Sequence, residues 1–131
     1  MKHVSSVSII LENMENEVLL LLRDSNSSIY PKHWTLVGGS LKNGETPDVA
    51  AYRALEEETG LKIDLALWKQ YERSHPLFMV DQYIYTGRVD SYGLLVLGRD
   101  TQFFTPYEIQ HLKIGYGFKD LLNEYFLVHE P

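Results

Sequence analysis

Residues 39–61 have the clearest structural pattern in the chain and read GSLKNGETPDVAAYRALEEETGL. Thr46 is a suitable N-cap, and Pro47 follows at the first helical position, where a missing N–H is tolerated. Gly60 is the residue type that most often follows the last turn of a helix. The pattern therefore predicts a loop up to Thr46 and a helix from Pro47 to Glu58.

Segments rich in apolar and β-branched residues flank this loop and helix on both sides. Apolar residues at helical spacing predict a second helix over residues 118–128, and residues 106–109 suit a short helical turn. Residues 90–105 have no clear pattern and leave room for one or two short strands. The other segments predict strands over residues 3–12, 17–23, 34–37, 61–73 and 77–89, with a hairpin joining the first two.

This order of elements predicts an α+β fold in which a mixed sheet lies between helices. The chain has 131 residues, of which 44% are hydrophobic, so we expect one domain over residues 1–131. The longest apolar run, residues 18–22, has the length of a strand and is too short for a membrane span. The N-terminus lacks the apolar stretch of a signal peptide. We therefore expect a cytoplasmic protein that does not bind membranes, as a monomer or homodimer.

Composition also excludes several kinds of chemistry. The chain has no cysteine, which excludes a disulfide scaffold, a thiol nucleophile and a zinc site built from cysteines. The formal net charge of −6 disfavours a nucleic-acid polymer as the partner. To bind a phosphate ligand, the protein would need a local positive charge that offsets its own acidic charge. A P-loop does not supply it, because Glu45 and Thr46 follow Gly44 where lysine and serine or threonine are required.

Adjacent carboxylates on the predicted helix could instead supply that positive charge by binding a metal cation. At about 100° per residue, Glu58 lies about 100° from Glu57, and Ala54 projects between them. Two neighbouring carboxylates repel each other unless a cation lies between them, and oxygen ligands suit Mg²⁺ or Mn²⁺. A solvated helix face is the commoner explanation of three consecutive glutamates taken alone. The spacing of the surrounding residues favours the metal site.

That spacing resembles the Nudix box of the Nudix hydrolases, G-x5-E-x7-R-E-U-x-E-E-x-G-U, where U is aliphatic. The chain departs from the pattern at one position, where Ala54 replaces a glutamate that binds metal in many family members. The resemblance implies an α/β/α sandwich with a mixed sheet over nearly the whole chain. The matching residues are Gly39, Glu45, Arg53, Leu55, Glu57, Glu58, Gly60 and Leu61.

The resemblance also implies roles for these residues. Glu57, Glu58 and the Gly39 carbonyl are the expected metal ligands, and Ala54 leaves the number of ions and the identity of the base open. Glu45 and Arg53 complete the expected catalytic set, mainly as braces that hold the loop against the helix.

Candidates outside the box depend on the same resemblance. Arg23 ends a predicted strand where family members often contact phosphate, although a surface charge is the alternative. Trp34 is either a core residue or a wall of the substrate pocket. Asp100 is a candidate late metal ligand or base, with a solvated loop aspartate as the alternative, and Asp81 and Glu108 are weaker candidates for that job.

The implied activity is Mg²⁺-dependent hydrolysis of a diphosphate bond in a nucleoside diphosphate linked to X. A nucleoside triphosphate, in normal or oxidised form, is the first expectation, with a nucleoside monophosphate and pyrophosphate as products. A nucleotide sugar or ADP-ribose is the alternative substrate. A nucleotide-binding domain that has lost its chemistry is the alternative class, because of Ala54.

Overall fold

The computed structural model describes residues 2–74, 76–90 and 100–129. Within these residues the chain forms seven strands and three helices. The strands are β1 (Lys2–Asn13), β2 (Val18–Leu22), β3 (Trp34–Thr35), β4 (Val37–Ser40), β5 (Ala66–Ser74), β6 (Phe78–Val89) and β7 (Thr101–Phe104). The helices are α1 (Pro47–Thr59), α2 (Pro106–Ile109) and α3 (Phe118–Val128).

The strands form one mixed sheet around β1. Strand β6 runs parallel to β1 along its whole length, from the pair Lys2↔Phe78 to the pair Asn13↔Val89. Strand β5 lies antiparallel on the outer side of β6, and β4 lies antiparallel on the other side of β1. Strand β2 pairs with β1 through the predicted hairpin and also pairs with β3 and β7. Parallel and antiparallel pairs are therefore combined, as predicted.

Helices cover both faces of this sheet, and each face has its own hydrophobic core. Burial of apolar side chains on both faces is the main force that holds the three layers together. The first core includes Val7, Ile9, Leu11, Ala51 and Leu55, and it lies under α1. The second includes Ile10, Leu20, Ile84, Ile109 and Leu122, and it lies under α2 and α3. The predicted α/β/α sandwich is confirmed.

Helix α1 begins where the sequence predicts and ends one residue later, at Thr59. The Thr46 hydroxyl accepts a hydrogen bond from the backbone N–H of Val49, and Gly60 adopts the left-handed conformation with φ of 75°. The helix buries Ala50 and Ala54 as well as the core residues Ala51 and Leu55. These small side chains let the helix backbone lie close to the sheet. None of the helices in the described ranges is long and apolar enough to cross a bilayer.

Two boundaries differ from the sequence prediction by more than one residue. The strand predicted to end at Val37 breaks after Thr35, and its second part continues to Ser40, so Gly39, predicted to begin a loop, belongs to β4. Gly38 pairs with Ser8, and a Cβ atom at Gly38 would lie only 2.1 Å from the Val7 carbonyl oxygen. The glycine therefore permits close strand packing, which the local sequence pattern does not indicate.

The second difference is the start of β5, which was predicted at Leu61 and lies at Ala66. Ile63 and Leu65 pack against the first core without joining the sheet. Apolar side chains that cover a core have the composition of a strand, which explains the error. Strand β7 falls within the segment of unclear pattern, and residues 91–99 of that segment lie outside the described residues.

Candidate active site

An ion pair joins the loop after β4 to helix α1. The Glu45 carboxylate accepts hydrogen bonds from Arg53 Nε at 2.6 Å and Arg53 Nη2 at 2.9 Å. Glu45 also accepts from the Lys42 backbone N–H at 2.7 Å, and Arg53 Nη2 donates to the Ser40 carbonyl at 3.1 Å. The hydrogen bonds from Arg53, followed by that from Lys42, hold the pKa of Glu45 below its usual value. This geometry is what a brace between loop and helix requires.

Glu57 lies on the outer side of this brace. Its carboxylate accepts a hydrogen bond from Arg53 Nη1 at 3.2 Å and lies 3.4 Å from Lys42 Nζ. About half of the side chain is exposed, at 52%. Glu57 is therefore held by two cations that a bound metal ion would have to displace or share.

Glu58 turns toward the sheet instead. Its carboxylate accepts a hydrogen bond from the Gly38 backbone N–H at 2.9 Å. Desolvation raises the pKa of Glu58 and repulsion from Glu57 adds to the rise, whereas the hydrogen bond from Gly38 opposes it. The next carbonyl along β4, that of Gly39, accepts a hydrogen bond from the Ser6 hydroxyl at 3.2 Å. The helix thus brings Glu58 to the glycine strand.

Buried alanines lie between the two carboxylates on the helical wheel. Ala54 is 2% exposed and Ala50 is fully buried, so this strip of α1 faces the protein interior. Across residues 2–74, 76–90 and 100–129, no three acidic or histidine side chains come close enough to hold a metal ion by themselves. The protein alone therefore supplies few ligands, which matches the missing carboxylate at residue 54.

A cavity of about 370 Å³ lies beside Glu58 on the sheet. The backbone of Gly38 and Gly39 and the Glu58 side chain form part of its wall. Arg23 and Arg73 line the same cavity. This volume is within the usual range for a small-molecule site, roughly 300–1,000 Å³. Negative and positive groups therefore share one cavity on an acidic protein.

The predicted residues outside the box lie in different surroundings. Arg23 lines the cavity, and its Nε donates to the Ile29 carbonyl at 2.9 Å. Trp34 packs edge-on against Phe104, with ring centroids 4.8 Å apart, beside the second core. Asp100 is exposed, and its backbone carbonyl accepts a hydrogen bond from Leu22. Of these three, the structure brings only Arg23 into the cavity with Glu58.

The weaker acidic candidates have local partners. The Asp81 carboxylate lies 3.5 Å from His3 Nδ1. Glu108 and Thr105 form the capping box at the start of α2. Both contacts are those of structural or surface residues.

Sequence reasoning missed most of the residues that line the cavity, and three of them have polar groups near Arg23 or Glu58. Arg73 on β5, Gln82 on β6 and Tyr116 before α3 all line the cavity. A glutamine within a strand otherwise rich in apolar residues was the available signal for Gln82, since a buried amide requires partners. Arg73 and Tyr116 carry no such signal, because only the strand pairing brings them to the cavity.

The sandwich and the glutamate-bearing helix beside a glycine strand define a Nudix-type domain. The chain belongs to the NUDIX domain family, whose model matches residues 2–115.

Curated relatives match less than half of the chain in sequence, whereas a solved structure matches nearly all of it in fold. An m7GpppN-mRNA hydrolase from Xenopus laevis is 34% identical over 62 residues, which are 47% of this chain and 21% of that protein. A diphosphoinositol polyphosphate phosphohydrolase from Mus musculus is 46% identical over 48 residues, 37% of this chain and 27% of that protein. The MutT protein from Methanosarcina mazei has a similar structure, with a TM-score of 0.81, 21% identity, and coverage of 98% of this chain and 96% of that one. The curated relatives are therefore much longer than the matched stretch, and the structural match shows the fold.

Proposed function

We propose that this protein hydrolyses a diphosphate bond in a nucleoside diphosphate linked to X, with Mg²⁺ as cofactor and Mn²⁺ as its alternative. The observation that carries the proposal is the shared cavity, which joins Glu58 and the Gly38–Gly39 backbone to Arg23. A phosphate chain can meet a metal-binding end and a cationic end there at once. A relative that matches part of the chain is named as an m7GpppN-mRNA hydrolase.

The available ligands suit a magnesium ion. Nudix hydrolases generally use a divalent metal. The Glu57 and Glu58 carboxylates and the Gly39 carbonyl would hold the ion, all through hard oxygen atoms. Magnesium commonly keeps several waters and takes only one or two protein carboxylates beside substrate phosphates, so the sparse ligand set fits. Asp100 remains a further candidate ligand.

When bound, the metal would neutralise phosphate oxygens and lower the pKa of a coordinated water. The protein's own contribution is placement, which dominates phosphoryl transfer. Arg53 and Glu45 hold the loop in register with α1, Glu58 anchors the helix to the Gly38 N–H, and Arg23 offers its guanidinium to the phosphate chain.

A nucleoside triphosphate is the proposed substrate, in normal or oxidised form, with a nucleoside monophosphate and pyrophosphate as products. The proposed partner is therefore a small phosphorylated molecule and not a nucleic-acid polymer or a membrane. The proposed setting is the cytoplasm, with the protein as a monomer or homodimer.

Ala54 favours one second candidate, a domain that binds nucleotides and has lost its chemistry. The buried methyl group leaves a smaller acidic site than the family pattern provides. The two functions differ in turnover, so an activity assay separates them.

The test measures nucleoside monophosphate formed from a panel of nucleoside triphosphates, nucleotide sugars and ADP-ribose, with Mg²⁺ and with EDTA. The second product is pyrophosphate from a triphosphate and a phosphorylated X group from the other substrates. The proposal expects Mg²⁺-dependent release of pyrophosphate from a triphosphate. Absence of turnover on the whole panel, together with metal-independent nucleotide binding, would establish the second candidate instead.

A further inference from the structure

Two arginines from distant parts of the chain converge on one aromatic ring. The guanidinium carbon of Arg23 lies 5.4 Å from the centre of the Tyr116 ring, and that of Arg73 lies 5.2 Å from the same centre. Both distances are within the range of a cation–π contact. All three side chains line the cavity that also contains Glu58.

In the described part of the chain, neither guanidinium of this pair is bound to a carboxylate, although Glu58 lines the same cavity. Within residues 2–74, 76–90 and 100–129, neither Arg23 nor Arg73 forms an ion pair. Their recorded hydrogen bonds use Nε and neutral acceptors, the Ile29 carbonyl and the Gln82 side-chain oxygen. Two cations in one cavity repel each other, and a bound anion would relieve that repulsion. The contrast with Arg53, which is paired with two glutamates, is clear.

The Arg73 side chain contacts a buried glutamine, Gln82. Gln82 is fully buried, and its amide nitrogen donates to the Ser8 hydroxyl at 2.9 Å. The amide oxygen of Gln82 faces Arg73 Nε at 3.4 Å. A buried amide requires partners, so this chain of contacts orients the guanidinium within the sheet.

Tyr116 is held in an unusual backbone conformation. Its φ is 64°, and that of Tyr30, whose ring lies 4.7 Å away, is 47°. Bulky residues rarely adopt this left-handed region, and such residues cluster at ligand sites. Gly115 makes room for the contact, because a Cβ atom there would lie 2.9 Å from the Tyr30 ring. The loops are thus arranged to hold Tyr116 beside the arginines.

We propose that Arg23 and Arg73, held by Tyr116, form an anion site that binds a substrate phosphate without metal, so that the cavity selects substrates with a further anionic group beyond the metal-bound diphosphate. Planar guanidinium groups suit phosphate oxygens through paired hydrogen bonds. The proposal deepens the proposed function and rests on it for the identity of the substrate. It favours triphosphates over nucleotide sugars whose X group is neutral.

The first test measures binding of inorganic tripolyphosphate by calorimetry in EDTA. We expect the wild type to bind and Arg73→Gln to bind at least about tenfold more weakly, because one charged pairing is lost. The matched control is Arg88→Gln on the neighbouring strand, which removes an exposed arginine outside this cavity and should leave affinity unchanged. Equal affinity in Arg73→Gln and wild type, or no binding by the wild type, would overturn the proposal.

Three further measurements keep the result interpretable. Thermal unfolding without ligand shows whether Arg73→Gln is folded, and Arg73→Lys, which keeps the charge and loses the planar fork, should recover only part of the affinity. Glu58→Gln should still bind tripolyphosphate in EDTA. If no substrate turns over but this arginine-dependent binding persists, the proposed function fails and the anion site stands.

Steady-state kinetics link the anion site to substrate choice. In the presence of Mg²⁺, Arg73→Gln should raise KM for a nucleoside triphosphate about tenfold and leave KM for a neutral-X nucleotide sugar unchanged. An equal rise in KM for both substrates would contradict the selective role.

Discussion

The two ends of the cavity hold their charged groups in opposite ways. Next to the end where Glu58 lines the cavity, Arg53 pairs with Glu45 at 2.6 Å and with Glu57 at 3.2 Å. At the other end, Arg23 and Arg73 rest on an aromatic ring and neutral acceptors. The first end is organised before any ligand arrives, whereas the second keeps its charge available. An acidic protein can thus hold a cation at one end and an anion at the other.

The largest expected effect comes from neutralising Glu58. Glu58→Gln should lower kcat about 100-fold or more, because a ligand charge is lost while the amide oxygen can still accept from Gly38. Steady-state kinetics on the preferred triphosphate measure the loss. The control is Glu56→Gln, an exposed glutamate that pairs with Lys62, and it should keep wild-type rates. Similar rates in both variants would remove Glu58 from the active site.

Breaking the brace should have the next largest effect. Arg53→Gln removes the paired hydrogen bonds to Glu45 and the contact with Glu57, so kcat should fall about tenfold through misplaced ligands. Tripolyphosphate binding in EDTA should not change, because the other end of the cavity is untouched. Weaker tripolyphosphate binding in this variant would show that the two ends are not independent.

Restoring the family glutamate tests the acidic end from the other direction. Ala54 is buried, so Ala54→Glu should lower the free energy of unfolding in EDTA by about 1–3 kcal/mol through an unpaired carboxylate. Mg²⁺ should recover more stability in this variant than in the wild type, since the new carboxylate gains a cation. Thermal unfolding with and without Mg²⁺ provides the comparison. An identical Mg²⁺ response in both proteins would place residue 54 outside the metal site.

The smallest expected effect is the loss of the stabilising contribution of Glu45 at low pH. The pKa of Glu45 lies below its usual 4.5 because of Arg53 and Lys42, so its stabilising contribution is present at neutral pH. That contribution should disappear as the pH falls from about 4.5 through the lowered pKa of the folded state. Denaturant unfolding should show wild type more stable than Glu45→Gln at pH 7 and a smaller difference in acid. A difference that grows in acid would have the wrong sign.

The same contrast explains what the sequence could and could not predict. The acidic end is built from residues 39–61, where capping, helical spacing and the box lie within one continuous stretch. These local patterns therefore predicted helix α1 and the contact between Glu45 and Arg53 that joins the loop to the helix. The same patterns misplaced the end of β4, because the role of Gly38 depends on its close approach to β1.

The cationic end requires pairings between distant segments. Trp34 forms a bridge with Ile114, which brings Tyr116 toward the loop after β2. Arg73 reaches the cavity because β5 pairs with β6, and that register cannot be derived from residues near Arg73. Arg23 was identified through the family resemblance. Arg73, which lies beside it in the cavity, was missed because its position depends on that strand register.

The most direct test of the central claim is a Mg²⁺ titration of pyrophosphate release by the wild type and Glu57→Gln. The account predicts that release requires Mg²⁺ and saturates, and that Glu57→Gln needs more Mg²⁺ and reaches a lower maximum rate. Unchanged rates and unchanged metal dependence in Glu57→Gln would show that helix α1 does not hold the metal.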